Sequence, residues 1–214
     1  MQRYLVTGTD TDVGKTRVSA SLARALADAG RAPTIVKAVQ TGVVGSQEGD
    51  AALAERLSGV RAVELQRYLA PADPWSAALS EGRPPPTVRE LLDALPSGAL
   101  VVEGAGGLLV PLNATQTFAD LAAAGDLALL VVVALRLGCI NHARLTLEVA
   151  ARRGIRVAGV VLCERYGPVA AEYIDDVRRS LQGNATIFGN LPFASADAAS
   201  VAAGARMFAS LSTT

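Results

Sequence analysis

Lysine is almost missing from this chain of 214 residues, where two lysines stand beside 18 arginines. Cysteine is as scarce. Cys139 and Cys163 are too few for a disulfide framework and have no Cys or His neighbours spaced for zinc, so both read as reduced thiols. Neither sign of charge is in excess: the formal net charge is zero and the arginines are dispersed, which excludes the basic stripe that nucleic acid or an anionic membrane selects. A small-molecule partner is expected instead. Long hydrophobic runs are absent as well, since the apolar stretch 127–135 is far too short to cross a bilayer and no basic start precedes an apolar leader. The expected location is the cytoplasm. What is present is a hydrophobic content of 50%, ample for one sizeable core, and a single domain over residues 1–214 is expected.

One of the two lysines, Lys15, closes the run Gly8-Thr9-Asp10-Thr11-Asp12-Val13-Gly14-Lys15-Thr16. A Gly-rich turn ending in Gly-Lys-Thr aims successive backbone N–H groups at phosphate oxygens, with Lys reaching the outer phosphates and Thr free for Mg²⁺. Lysine suits such a loop better than arginine, because a compact charge on a flexible stem lies alongside a polyphosphate without filling the turn. The spacing departs slightly from the strict pattern, for Thr9 stands where glycine is usual. Residues 3–7 read as a strand and 17–29 as an amphipathic helix closed by Gly30, the order a phosphate loop requires. The helix N-terminus adds its partial positive charge.

Further apolar runs at 33–39, 99–102, 127–135 and 157–162 read as buried strands of a mostly parallel sheet. Helices are expected at 50–58, 88–95, 118–124, 141–153, 169–181 and 196–211. The stretch 68–86, with five prolines, reads as an irregular surface excursion. The fold expected is therefore α/β, a P-loop NTPase-like sheet flanked by helices. In open parallel sheets ligands bind outside the carboxyl ends of the strands. There the sequence places Lys37 with Gln40-Thr41-Gly42, Glu103 with Gly104-Ala105-Gly106-Gly107, and Arg136-Leu137-Gly138. Glu103 follows three apolar residues, where an acid is costly unless it meets a cation. Asp50 also has the look of a helix cap. His142, the only histidine, is read as packing or capping at the start of a helix rather than as catalytic.

Thr7 to Thr16, Lys37-Ala-Val-Gln-Thr-Gly42, Val102-Glu-Gly-Ala-Gly-Gly107 and Leu137-Gly-Cys-Ile-Asn-His142 together resemble the dethiobiotin synthetases, in order and spacing over nearly the whole chain. That family makes the ureido ring of dethiobiotin from 7,8-diaminopelargonic acid, CO₂ and ATP with Mg²⁺, a step of biotin synthesis. The resemblance implies that Asp12, Val13, Gly14, Lys15, Thr16 and Arg17 surround the triphosphate, with Lys15 on the transferred phosphoryl group. It implies Thr16, Asp50 and Glu103 around Mg²⁺ and Lys37 as the catalytic cation. Thr11 and Thr41 would touch the diamine, and Gly106, with Gly104 and Ala105, would lie between substrate and phosphates. Pro192, Phe193 and Ala194 would close over the base. Asn141 and Tyr173 would be lent by the neighbouring subunit of a homodimer to the substrate carboxylate.

Two departures stand out. Trp75 falls where the family commonly carries histidine, which leaves open whether it touches ligand or covers core. Cys163 replaces an asparagine that reads the adenine edge, and a thiol cannot reproduce paired amide contacts. Other nucleoside triphosphates, CTP or GTP, are therefore expected to serve within about ten-fold of ATP. Two rival readings share the fold. A partner-regulated ATPase of the septum-positioning kind carries a signature lysine where this chain has Asp10, and an amidoligase-type synthetase carries a further glutaminase domain. A non-catalytic nucleotide-binding module is a third, disfavoured by the joint presence of Lys37 and Glu103.

Overall fold

A computed structural model describes residues 2–45 and 47–212, except the side chain of Ser212. Residues 1, 46, 213 and 214 of the expected domain lie outside the described part. Seven strands, β1 (Arg3–Gly8), β2 (Thr34–Gln40), β3 (Ala62–Arg67), β4 (Leu100–Gly107), β5 (Ala128–Ala134), β6 (Val157–Cys163) and β7 (Ile187–Leu191), form one sheet. The order is β3-β2-β4-β1-β5-β6-β7 and every strand pairing is parallel. The helices are α1 (Lys15–Asp28), α2 (Asp50–Ser58), α3 (Pro74–Ser80), α4 (Val88–Asp93), α5 (Phe118–Ala124), α6 (Cys139–Arg152), α7 (Ala171–Leu181), α8 (Ala198–Ala205) and α9 (Ala209–Ser212). None of the described helices is long and apolar enough to cross a membrane.

Strand β5 shows why the sheet is double-faced. All seven residues of Ala-Leu-Leu-Val-Val-Val-Ala are buried, and because side chains alternate across a strand they feed two cores. Leu129, Val131 and Val133 pack with Phe118, Leu121 and Leu147, whereas Leu130 and Val132 pack with Val18, Leu22 and Leu26 of α1. On α1 those three recur every fourth residue, one stripe turned to the sheet.

Several boundaries differ from the sequence expectation. The first helix starts at Lys15 rather than 17, and α6 starts at Cys139 behind a left-handed Gly138 rather than at 141. The helix expected at 169–181 starts at Ala171, that expected at 88–95 ends at Asp93, and that at 196–211 is broken by a 3-10 turn, Arg206–Phe208. β3 and β7 are additional strands. The Pro-rich excursion also holds α3, whose Pro74 sits in the first turn, where its missing N–H costs nothing, behind an Asp73 cap.

The sheet parts where the chemistry lies. β4 pairs with β2 only as far as Lys37↔Glu103, while β2 stays with β3 to Gln40↔Arg67. β4 pairs with β1 through Val6↔Glu103, loses register, and rejoins at Gly8↔Gly107. The crevice that opens at the carboxyl ends of β1, β2 and β4 is the topological switch point of the fold.

Candidate active site

The loop Thr9–Val13 leaves β1 and turns into α1 through two residues with positive φ, Asp12 at 57° and Gly14 at 100°. Gly14 caps the helix in the left-handed region, and a β-carbon there would stand 2.8 Å from Cys163 Sγ. The thiol therefore packs directly beneath the loop, and burial pushes its pKa up. Gly14→Ala is expected to weaken nucleotide binding by at least ~30-fold, since it adds left-handed strain to an overpacked contact. Adding Cys163→Ala restores room but not backbone freedom, so titration of the double variant should show partial recovery; full recovery would mean that the conformation of Gly14 is unimportant.

Lys15 is buried and folds back so that Nζ donates to the Asp10 carbonyl at 3.2 Å. Burial and, behind it, the neighbouring Lys37 lower its pKa. Both effects disfavour the Lys15 cation, so a bound anion would favour its charged form. Lys37, only 3% exposed, lies 3.0 Å from Glu103 Oε1 and 2.5 Å from Asp50 Oδ2, and also donates to the Gly104 carbonyl at 3.2 Å. Burial alone would lower its pKa, but Glu103 and Asp50 outweigh burial and leave it raised. Asp50 is likewise held below the usual carboxylate range, Lys37 overcoming its desolvation. Asp50 is thus not the helix cap, a position that Gly49 takes; it is the first residue of α2, held there because its N–H donates to Gln40 Oε1 at 2.8 Å.

Thr16 Oγ1 donates to Glu103 Oε1 at 3.0 Å. A hydroxyl and the carboxylates of Glu103 and Asp50 thus form an oxygen donor set beside the phosphate loop, and that set fits a hard cation such as Mg²⁺ shared with phosphate oxygens. No cluster of three His, Cys, Asp or Glu side chains suited to a metal occurs among the described residues.

These groups face one cleft of about 950 Å³, lined also by Thr11, Asp12, Gly14, Arg17, Thr41, Ala105, Gly106, Phe193 and Ala194. Gly106 has φ 61°, and a β-carbon on it would meet Val110 at 2.8 Å, so only glycine lets β4 fold over the loop there. Val13 points away into the core and can offer only backbone. Gly104 contributes its carbonyl to Lys37, and Pro192 contributes its carbonyl to Arg17 Nη2 at 2.9 Å.

Lys37 is not at a strand end, as the sequence implied: it is the fourth of seven residues in β2, and it reaches the cleft because β4 pairing stops beside it. Asn141 and Tyr173 are not brought to the cleft of their own chain. Asn141 is exposed on α6, and Tyr173 donates to the Arg136 carbonyl at 2.8 Å with Cys139 Sγ 3.5 Å away. Desolvation, with Cys139 beside it, pushes Tyr173 up to about 12. His142 neither packs nor caps; it is exposed on α6. Trp75 is half-buried on α3 and does not line the cleft.

Sequence reasoning set Gln40 and Arg136 at the strand ends but did not find that they, with Arg165, position the loop and helix. Arg136 pairs with Asp10, and Arg165 meets Asp12 at 2.6 Å, so both flanks of the phosphate loop are tied to residues just beyond β5 and β6. Their available signal was position alone, at the polar ends of apolar runs.

Phosphate loop, switch-point crevice and a lysine held between two carboxylates define a P-loop protein of the parallel α/β class. Solved structures agree on the fold: the cell division ATPase MinD of Pyrococcus furiosus superposes with a TM-score of 0.61 at 20% identity, over 100% of this chain and 98% of that one. A ParA family ATPase from Chlorobium tepidum gives 0.56 at 12% identity, over 100% and 93%. An AAA-domain family model matches residues 2–197. Sequence relatives are more particular. The ATP-dependent dethiobiotin synthetase BioD of Anaeromyxobacter dehalogenans (strain 2CP-C) is 47% identical over 176 residues, 78% of each chain. That of Mycobacterium leprae (strain Br4923) is 42% identical over 201 residues, 90% of this chain and 87% of the relative. The chain belongs to the ATP-dependent dethiobiotin synthetase family.

Proposed function

We propose that this chain carboxylates 7,8-diaminopelargonic acid with CO₂ and closes the ureido ring of dethiobiotin at the expense of ATP with Mg²⁺. It works as a single-domain synthetase, in the cytoplasm, within a homodimer. The observation that carries this reading is the convergence of Lys15, Lys37, Thr16, Asp50 and Glu103 on one cleft, in a chain 42–47% identical to dethiobiotin synthetases.

One substrate amine captures CO₂ as a carbamate, whose oxygen attacks the γ-phosphorus of ATP and expels ADP. The second amine then attacks the carbon of the carbamic-phosphoric anhydride, closes the ring and expels phosphate. No protein nucleophile is needed, and the chain's part is to position and neutralise. The amides of Asp12 to Arg17 and the Lys15 ammonium would hold the triphosphate. Thr16, Asp50 and Glu103 would hold Mg²⁺, which supplies further charge neutralisation to the phosphates. Lys37 keeps its proton at neutral pH because two carboxylates hold its pKa up, so a fixed cation faces the anionic carbamate. Without such charges, bringing a carbamate to ~4 Å from a phosphate oxygen would cost about 4 kcal/mol per charge pair at an effective dielectric near 20. Asn141 and Tyr173, remote from their own cleft, are read as serving the neighbour's substrate carboxylate.

Phosphate release assayed with the diamine and bicarbonate, each omitted in turn, tests the reading. Release is expected only with both present. Steady release without the diamine would instead mark a plain ATPase.

A further inference from the structure

The phosphate loop is pinned from inside at two residues. Val13 is buried in the core with Val18 and Leu22, and Gly14 rests on the Cys163 thiol. Asp12 has neither anchor: its side chain is 60% exposed, yet its backbone sits at φ 57°. Glycine apart, Asp12 and Asp126 are the two described residues with a positive φ, a region that a β-carbon makes strained. Val13 is not among them, so the handedness of the backbone alternates from Asp12 through Val13 to Gly14. Such alternation turns successive N–H groups to one side and shapes a nest for an anion.

What holds the strained residue is Arg165, whose Nε and Nη2 both donate to Asp12 Oδ1, at 3.0 and 2.6 Å. The arginine is fixed at its root. Glu164 before it is buried, donates its N–H to the Leu191 carbonyl at 2.9 Å, and accepts at its carboxylate from the Val169 N–H at 3.1 Å and from Asn190 Nδ2 at 2.6 Å. A planar fork seated on the end of β6 thus grips a carboxylate at the far side of the chain. A partly exposed ion pair adds little to global stability, so its effect here is local: it resists the inversion of Asp12 that would undo the alternation. We propose that Arg165 is a positioning residue for phosphate binding, acting through Asp12 by keeping it in the left-handed conformation that shapes the nest. This rests on the reading of the main cleft as a nucleoside triphosphate site. Arg165 also lines that cleft, so direct contact of its guanidinium with the nucleotide is the competing role.

The test titrates ATP and inorganic tripolyphosphate, each with Mg²⁺, into the wild-type protein and into Arg165→Met, Asp12→Ala, Asp12→Gly and the double variant Asp12→Gly with Arg165→Met. Arg165→Met is expected to weaken both ligands alike by about five-fold, the scale of one partly exposed ion pair. Asp12→Ala and Asp12→Gly remove the same charge and differ in conformation, so their comparison isolates the strain. Glycine enters the left-handed region freely, and Asp12→Gly should bind both ligands at least about five-fold more tightly than Asp12→Ala. In the Asp12→Gly background no clamp is needed, and adding Arg165→Met should change binding by less than about 1.5-fold. That near-equality also reports that Arg165→Met leaves the protein folded. A loss that persists in the Asp12→Gly background would show that Arg165 acts on the ligand by its own charge, and a loss for ATP alone would show that it touches the nucleoside. Either overturns the proposal, as would wild-type binding by Arg165→Met or an Asp12→Gly protein no better than Asp12→Ala. A wild-type protein that binds neither ligand would overturn the nucleotide reading itself.

Discussion

Lys37→Gln is expected to lower turnover by at least ~100-fold while nucleotide binding changes only a few-fold, the pattern of one preorganised charge removed from a transition state. The side chain is enclosed by Glu103, Asp50 and the Gly104 carbonyl, so nothing else in the cleft can take its place. Arginine should not rescue the variant, because a planar fork does not fit a pocket formed around a point charge. The same geometry predicts a cost in stability. Glu103 is 1% exposed, and removing its cation leaves a buried carboxylate uncompensated, on the order of 3 kcal/mol in the nucleotide-free protein. Steady-state kinetics and urea unfolding measure the two effects separately. A variant with a third of wild-type turnover would end the assignment of Lys37 as the catalytic cation.

Mixing Lys37→Gln subunits with Tyr173→Ala subunits is expected to restore activity that neither parent shows alone. In a two-fold dimer with shared sites, each mixed dimer carries one site in which both defects meet and one intact site. Random assortment then returns roughly a quarter of wild-type activity from two nearly inactive parents. The expectation rests on the family resemblance together with the position of Tyr173, which is committed to the Arg136 carbonyl and lies off its own chain's cleft. Activity of the mixture no higher than the mean of the parents would mean that each subunit works alone.

What could be read from the sequence follows from burial. The five inner strands were visible because a parallel strand covered on both faces is a continuous apolar run, as in Leu129 to Val133. The two missed strands are the two edges of the sheet. β3, Ala-Val-Glu-Leu-Gln-Arg, is half-buried throughout and mixes charge with apolar residues; β7 is five residues long and contains Gly189 and Asn190. Edge strands with one partner need no unbroken apolar run, and so left no period to find. α3 was hidden by its own start, since a proline permitted in a first turn looks like a loop marker. At the site, Lys15, Thr16 and Glu103 were legible as motifs and Asp50 only through the family resemblance, and the structure brings all four to one cleft. Lys37 was found by its rarity but misplaced by three residues from the true end of β2, because strand ends are defined by pairing partners that a single sequence does not display.

The central position of β1 carries a consequence for how the protein acquires its site. Its two neighbours, β4 and β5, are contributed by segments roughly a hundred or more residues further along the chain, as in Val6↔Glu103 and Tyr4↔Ala128. The phosphate loop and its helix are local and can form early, but Glu103 cannot stand beside Thr16 and Lys37 until that distant strand has slotted between β1 and β2. Loop-closure entropy is spent before these pairings return anything, so the arrangement is assembled late in folding. A newly made chain with only its first hundred residues exposed already carries Gly14, Lys15 and Lys37, yet holds two buried-type cations with no carboxylate from β4 to balance them. The cleft that gathers Lys15, Lys37 and Glu103 is thereby a product of the completed sheet rather than of any local stretch of chain.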